Sequence, residues 1–153
     1  MKTIDLNCDM GESTASRIIG NDEGIMPFIT SANIACGFHG GDPSVMRKTL
    51  DLAYEYGVAV GAHPSFHDIE GFGRREMNLS ATEIFDLVSY QIAALKGMVE
   101  MDGRKLHHVK PHGALYNMAA KSKEMADAIV DAVYNIDPFL ILYGLSNSEL
   151  IFS

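Results

Sequence analysis

The sequence predicts an α/β protein built on a parallel β-sheet, because short apolar segments alternate with longer amphipathic ones along its 153 residues. Two further observations favour this fold class. Residues typical of helix N-termini precede the longer segments, and glycines follow two of them. Strands that alternate with helices form βαβ units, whose strands run parallel. We therefore expect five parallel strands joined by helices.

The first half of the chain contains three predicted strands and one helix. Residues 2–9 alternate between apolar and polar side chains, as in a strand with one polar face. Asp42 and Pro43 are typical of a helix N-terminus, and Gly57 is typical of its end. The three strands are expected at residues 2–9, 28–36 and 58–62.

The second half begins with a polar loop, residues 64–79, whose length favours a functional role. Ser80 and Glu83 have the spacing of a capping box and begin a long amphipathic helix that ends near Gly103. The remaining elements are a strand at 106–110, a helix at 118–135 and a strand at 139–143.

The last residues indicate an incomplete barrel. Ser146 and Glu149 repeat the capping-box spacing, so a helix is expected to begin near Asn147, only a few residues before Ser153. Five βα units are fewer than a closed barrel needs, since such barrels have ~250 residues. We therefore expect residues 1–153 to be one domain whose open sheet edges allow it to form a homo-oligomer.

Composition limits the classes of function. The formal net charge is -8 and the basic residues are not clustered, so nucleic acid is not an expected partner. No segment approaches the about 20 apolar residues that cross a bilayer, and the N-terminal carboxylates are unlike a signal peptide. Cys8 and Cys36 are too few for a disulfide framework. A cytoplasmic protein without a membrane partner is expected.

Polar side chains follow the ends of several predicted strands. Asp9 ends the first strand, and His39, His63 and His112 follow later ones. Because the C-terminal ends of parallel strands meet at one mouth, these side chains are expected to converge. A carboxylate with two or three imidazoles could hold a divalent metal such as Zn, Mn or Fe, with Asp9, His39 and His63 as ligands. The alternative is a hydrogen-bonded cluster without a metal.

The end of the fourth strand carries further candidates. Lys110 could stabilise an oxyanion or bind a substrate carboxylate, and His112 could act as a general acid or base, with Tyr116 one turn beyond. In the alternative interpretation Lys110 is an ordinary solvent-exposed cation. His107 and His108 are adjacent, so they face opposite sides of the strand, and we interpret both as structural.

The segment GFGRR in the long loop contains Arg74 and Arg75, and paired arginines are suited to bind phosphate or carboxylate. The alternative is a solvated loop whose arginines offset the acidic surface. Neither G-x-x-x-x-G-K-[ST] nor G-x-G-x-x-G occurs in the sequence. If the protein uses ATP, neither standard nucleotide motif holds it.

Several long segments of the sequence together resemble the LamB/YcsF family of lactam-utilisation proteins. They are DLNCDMGE, GND at 20–22, SANIACGFHGGDP, GAHPSFHD followed by GFGRR, YQIAALKG, and HVKPHGALYN. The resemblance implies an irregular seven-stranded, TIM-like barrel of the glycoside hydrolase/deacetylase type. This chain matches the N-terminal three fifths of such a protein.

The resemblance also implies an activity, the opening of 5-oxo-L-proline to L-glutamate with ATP and Mg, together with the other two subunits of 5-oxoprolinase. The implied catalytic residues are Asp9, His39, His63, Lys110 and His112. The implied substrate-binding residues are Asp5, Asn7, Glu12, Asn33, Arg74, Arg75 and Tyr116. Two alternatives stay open, a metal-dependent amide hydrolase or deacetylase without ATP, and a lactam-binding subunit without catalytic activity.

Overall fold

Five strands form one parallel sheet in the computed structural model, which describes residues 3–14 and 16–153. The strands follow chain order across the sheet, and each is hydrogen-bonded to the next. They are β1 (Asn7–Met10), β2 (Ser31–Ala35), β3 (Ala59–His63), β4 (His108–Val109) and β5 (Ile141–Leu142). The predicted α/β class with five parallel strands is confirmed, and the arrangement is that of an incomplete TIM-like barrel.

Helices connect the strands. Within the described residues they are α1 (Asp22–Ile25), α2 (Pro43–Glu55), α3 (Ala81–Met101), α4 (Gly113–Ala119), α5 (Lys123–Ile136) and α6 (Glu149–Phe152). A 3-10 turn, Met26–Phe28, follows α1 directly. None of the helices in the described ranges is long and apolar enough to cross a membrane.

Two of the predicted helix starts are confirmed by their capping bonds. Asp42 Oδ1 accepts hydrogen bonds from the backbone N–H groups of Ser44 and Val45, at 2.8 and 2.9 Å. Ser80 and Glu83 form the reciprocal capping box at the start of α3. These bonds satisfy backbone donors that a helix N-terminus otherwise leaves without partners.

The predicted helix at 118–135 is confirmed over most of its length, but its start is wrong, because the structure has two helices in this part of the chain. The first, α4, already begins at Gly113, and the second, α5, begins after Ser122, whose hydroxyl accepts a bond from Met125 N at 3.4 Å. The helical spacing of apolar residues continues on both sides of the break, and this continuity concealed the cap.

The predicted start of the last helix is also wrong. Helix α6 begins at Glu149, with Ser148 rather than Ser146 at the N-cap position. Asn147 has a φ of 59°, a left-handed backbone conformation that cannot be part of a right-handed helix. The Ser146 and Glu149 spacing therefore marks a turn that precedes the helix.

Four of the five strands are shorter than the apolar runs that predicted them, whereas β3 has the predicted five residues, one position later in the chain. Pairing in the first strand begins at Asn7, and the N-terminal end of the predicted range, Lys2, lies outside the described residues. Phe28 belongs to the 3-10 turn, so β2 begins only at Ser31. In these four, the apolar run extends beyond the residues that pair with another strand.

The two faces of the sheet differ in chemistry, and this difference positions the site. One face packs against the helices through buried apolar side chains such as Ala32, Ile34, Val60 and Val109. The other face, here called the inner face, carries polar side chains that bond across the strands. They are Asp5, Asn7, Asp9, Ser31, Asn33, His63, His108 and Lys110.

Candidate active site

One carboxylate and three imidazoles converge at the C-terminal ends of the strands. Glu12 follows β1, His39 follows β2, His63 ends β3 and His112 follows β4. One ligand atom from each lies within 4.8 Å of the others. The three imidazoles are buried, with 1%, 1% and 5% of their residue surface exposed. We call these four residues the His/Glu cluster.

The outward nitrogens of two of these rings fix their tautomers. His63 Nδ1 lies 2.6 Å from the carbonyl oxygen of Lys110, and His112 Nε2 lies 2.8 Å from that of Phe72. Because a carbonyl oxygen only accepts, each of these nitrogens carries the hydrogen when the ring is neutral. His63 Nε2 and His112 Nδ1 then present lone pairs to each other across 2.9 Å. A proton or a metal cation between them removes that repulsion.

The third imidazole, His39, is oriented in the same way. Ser65 donates its hydroxyl hydrogen to the carbonyl oxygen of Phe66 at 3.0 Å, so its Oγ accepts from His39 Nδ1 at 2.8 Å. In the neutral ring His39 Nε2 therefore carries a lone pair, and this nitrogen lies 3.1 Å from Glu12 Oε1. Two acceptors at this distance again require a positive charge between them.

Burial disfavours the charged form of two of these imidazoles. It lowers the pKa of His39, and burial together with repulsion from His39 and His63 lowers the pKa of His112 to about 4. Neutral imidazoles and a carboxylate are the donor set that Zn, Mn and Fe accept. In protein metal sites the second ring nitrogen is commonly bonded to a carbonyl or hydroxyl oxygen, as it is in all three rings here. The cluster therefore fits a divalent metal.

Asp9 lies beside the cluster and is held mainly by other groups. Its Oδ1 accepts from Lys110 Nζ at 2.8 Å and from Asn33 Nδ2 at 2.7 Å, and its Oδ2 is 3.4 Å from His63 Nε2. Burial alone would raise the pKa of Asp9, but His63, Lys110 and Asn33 together hold it far below its usual range. Of the predicted metal set Asp9, His39 and His63, the structure brings the two histidines together with Glu12 instead.

A ladder of hydrogen bonds continues from Asp9 down the inner face. Asn33 Nδ2 donates to Asn7 Oδ1 at 2.6 Å, Asn7 Nδ2 donates to Ser31 Oγ at 2.8 Å, and Ser31 Oγ donates to Asp5 Oδ2 at 2.8 Å. The predicted substrate-binding residues Asp5, Asn7 and Asn33 therefore belong to one network that ends at the cluster.

His108 joins this ladder, whereas His107 is exposed. The two rings do not lie on opposite faces as the alternation predicted, because His107 Nδ1 lies 3.0 Å from His108 Nδ1. His108 Nε2 lies 2.7 Å from Asn33 Oδ1, and the ring stacks on Tyr143 with centroids 4.4 Å apart. A Cβ on Gly61 would lie 2.2 Å from the His108 ring, so the glycine provides the space for it. His108 is therefore part of the inner polar face.

A cleft of about 430 Å³ opens beside the cluster. Its lining residues are Asp9, His63, Arg74, Lys110, Pro111, His112, Gly113, Tyr116 and Asn117. Of the predicted substrate-binding residues, Arg74 and Tyr116 line this cleft. Arg75 instead bonds to the buried carboxylate of Asp68, with Nε 2.8 Å from Oδ1, and this bond holds the pKa of Asp68 at about 2.

Three residues that position the cluster were missed from the sequence: Ser65, Phe72 and Gln91. Gln91, on α3, holds the backbone of Ser65 through bonds of 3.0 and 2.9 Å to its N–H and carbonyl groups. A glutamine on the buried face of an amphipathic helix was a signal that could have identified this contact. Phe72 contributes a backbone carbonyl, which leaves no signal in the sequence.

Fold and site together define an incomplete parallel α/β barrel with a histidine and carboxylate centre at the ends of its strands. The profile of the LamB/YcsF family matches residues 4–152, and the chain belongs to this family.

Individual relatives support the same assignment. The chain is 63% identical over 149 residues to the 5-oxoprolinase A subunit of Bacillus cereus (strain B4264), covering 97% of this chain and 59% of that protein. It is 60% identical to the protein of the same name from Bacillus mycoides (strain KBAB4), with the same coverage of both chains. The crystal structure of a lactam utilization protein from Thermus thermophilus superposes with a TM-score of 0.94 at 50% identity, covering 96% of this chain and 60% of the other. The chain thus spans about three fifths of these relatives.

Proposed function

We propose that this chain forms the catalytic mouth of an enzyme that opens the lactam ring of 5-oxo-L-proline with ATP, working with the two other subunits of a 5-oxoprolinase. The observation that carries the proposal is the set of facing acceptors in the His/Glu cluster, 2.9 Å apart for His63 and His112 and 3.1 Å for His39 and Glu12. The names of the relatives supply the substrate class. A cytoplasmic location fits the dependence on ATP.

The reaction needs activation because a lactam carbonyl is a weak electrophile. Transfer of the γ-phosphoryl group of ATP to the lactam oxygen gives ADP and an activated ring with phosphate as a leaving group. Water then attacks the carbon, the ring C–N bond breaks, and the nitrogen takes up a proton. A second water releases phosphate, which leaves L-glutamate as the product.

Residues of this chain are placed for three tasks in that sequence. Lys110 lines the cleft and can stabilise negative charge that develops on the lactam oxygen or its phosphoryl group. Asp9 orients the Lys110 ammonium through the 2.8 Å bond. When no metal occupies the cluster, the neutral His112 ring can accept and return a proton at Nδ1.

Glu12, His39, His63 and His112 would hold a divalent metal, which when bound supplies a Lewis acid or lowers the pKa of a bound water. That metal also defines the second candidate function, metal-dependent hydrolysis of an amide without ATP. The absence of both standard nucleotide motifs from the sequence favours this alternative.

Metal titration of the 153-residue chain tests the cluster directly. We expect Zn or Mn binding that falls more than about 100-fold in Glu12→Gln and in His39→Ala, because each removes a ligand atom. Asp9→Asn is expected to retain binding, since Asp9 is held by Lys110 and Asn33. His67→Ala, at an exposed imidazole outside the cluster, is the matched control. Equal affinities in Glu12→Gln and His67→Ala would contradict the metal assignment.

Turnover separates the two candidate functions. The assay combines the full-length homologous subunit with its two partner subunits and measures L-glutamate release from 5-oxo-L-proline with and without ATP. Release only with ATP supports the first function, and ATP-independent release of an amide product supports the second. No release in either condition would contradict both.

A further inference from the structure

Two guanidinium groups lie against the same aromatic ring at the rim of the cluster. The Cζ atoms of Arg17 and Arg74 are 5.8 and 5.2 Å from the centre of the Phe72 ring. Arg17 comes from the loop after β1, and Arg74 comes from the loop after β3. Distances in this range are those of cation–π contacts, so both cations lie against the same ring.

The Phe72 ring also contacts the cluster. Its centre is 5.4 Å from that of His39 and 5.2 Å from that of His112, with the planes nearly perpendicular in both cases. The carbonyl of Phe72 accepts the bond from His112 Nε2 at 2.8 Å. The Phe72 ring therefore contacts both the two guanidinium groups and two imidazoles of the cluster. Because one side chain spans this distance, a small molecule is large enough to contact the arginines and the cluster at the same time.

The two cations carry charge that the protein leaves available. Among residues 3–14 and 16–153, Arg47 and Arg75 form ion pairs with Asp102 and Asp68, whereas no carboxylate pairs with Arg17 or Arg74. The chain as a whole has a formal net charge of -8. A local positive site at the mouth of an acidic protein attracts anions to that site.

The backbone at Phe72 has a strained conformation. Phe72 has a φ of 56°, in the left-handed region that bulky residues rarely adopt. Such strain persists where the surrounding structure enforces it, and it is frequent at ligand clamps. On the other side, the loop that carries Arg17 is closed by bonds of 2.9 and 3.0 Å between Ser13 Oγ and the backbone of Ile19. Phe72 and the contact between Ser13 and Ile19 therefore anchor the chain close to each arginine.

We propose that Arg17 and Arg74, gathered on the Phe72 ring, form an oxyanion-binding subsite at the rim of the His/Glu cluster. Guanidinium groups bind carboxylate and phosphoryl oxygens through charge-assisted hydrogen bonds. The inference rests on the proposed function for the source of the oxyanion, which is the carboxylate of the lactam or the phosphoryl group transferred from ATP. The paired arginines of this site are Arg17 and Arg74, from two loops, rather than the neighbours Arg74 and Arg75.

The test is a titration of the isotope-labelled 153-residue chain, followed through the arginine side-chain N–H signals in NMR spectra. Three probes are added separately: inorganic phosphate, 5-oxo-L-proline, and pyrrolidin-2-one, which is the same lactam without a carboxylate. We expect at least one of the two anions, but not pyrrolidin-2-one, to shift the signals of Arg17 and Arg74. A response to 5-oxo-L-proline alone identifies the carboxylate as the source, and a response to phosphate alone identifies the phosphoryl group.

Variants show whether the arginines cause the binding. Arg17→Gln and Arg74→Gln are each expected to weaken binding of the responding anion about tenfold, because each removes a charged hydrogen-bond donor. Arg104→Gln is the matched control, since the Arg104 guanidinium also lies over an aromatic ring, 4.1 Å from the centre of Tyr54, and both residues precede strands, β4 and β3, whose C-terminal ends carry the cluster. Backbone spectra of each variant confirm the fold.

The subsite is overturned if neither anion shifts the two arginine signals, or if Arg17→Gln and Arg104→Gln bind the anion equally. Failure of the proposed function has a different signature. In that case the assembled enzyme releases no L-glutamate, yet phosphate binding still depends on Arg17 and Arg74, and the oxyanion subsite stands.

Discussion

Lys110 Nζ lies 2.8 Å from Asp9 Oδ1, although 101 residues separate the two in the chain. The pair joins the end of β4 to the end of β1 across the mouth of the incomplete barrel. Within the described residues the ammonium donates to Asp9 alone, which leaves two of its three N–H groups for a ligand in the cleft. The carboxylate thus orients a cation that is still able to bind an anionic group.

Replacement of Lys110 by methionine is expected to lower kcat about 100-fold or more in the assembled enzyme, because charge stabilisation increases as the lactam oxygen becomes negative. The measurement is steady-state turnover of 5-oxo-L-proline by the complete subunit with its partners. Lys105→Met, at an exposed lysine before β4, is the control. Turnover like that of the control in a folded Lys110→Met variant would make Lys110 a structural residue.

The convergence of Asp9, His63 and Lys110 could be predicted from the sequence because each lies at the C-terminal end of a strand. In a parallel sheet these ends all lie on the same side of the molecule. The place of Glu12 in the His/Glu cluster could not. Glu12 lies in a loop two residues beyond β1, and strand alternation does not extend into a loop. The bond from His112 to the Phe72 carbonyl could not be predicted for a different reason. Every residue has a backbone carbonyl, so the residue type gives no sign of which one accepts the bond.

Gly73 is expected to be a position where a methyl group disturbs the His/Glu cluster. Its φ is 64°, and an added Cβ would lie 2.8 Å from His39 Cβ and 2.9 Å from His112 Cδ2. Gly57 is a matched control, because its φ is 68° and an added Cβ would meet nothing within 4 Å.

We expect Gly57→Ala to lower the free energy of unfolding by about 1 kcal/mol through backbone strain alone. Gly73→Ala should cost about 1 to 3 kcal/mol more, from the steric conflict, and should also weaken metal binding. Urea unfolding and Zn titration of both variants measure these effects. Equal losses of stability with unchanged Zn affinity would show that the cluster adapts to the extra methyl group.

The edge strands are expected to promote association of the chain. Among the described residues β1 and β5 each pair with one strand only, and apolar side chains near them are exposed, 81% for Ile4 and 91% for Phe139. Sedimentation velocity over a range of concentrations should show association that Phe139→Ser reduces. Met101→Ser, which removes a similarly exposed apolar side chain at the end of α3, is the control. A dilution-stable monomer that does not bind ANS would contradict this expectation.

His108 should make folding stability depend on pH. Its ring is fully buried against Asn33 and Tyr143, and burial, with a smaller contribution from His107, lowers its pKa to about 4. In the unfolded chain a histidine has a pKa of about 6.5. As the pH falls below that value, the unfolded chain takes up the proton first and becomes relatively more stable.

The contribution of His108 is therefore fully present above about pH 6.5, decreases as the pH falls toward 4, and changes no further below that. Between pH 7 and pH 5 the loss is at most about 2 kcal/mol. Urea unfolding at the two pH values should show a smaller difference for His108→Gln than for the wild type.

Some pH dependence will remain in that variant, because burial also lowers the pKa of His39 and His112, and their effect has the same sign. His67→Gln, which removes an exposed imidazole, is the control and should keep the wild-type difference. If His108→Gln also keeps it, the protonation of His108 is not coupled to unfolding. The inner polar face would then admit a charged imidazole, which requires that Asp5, one of the charged groups that acts on this ring, balances the charge in the folded protein.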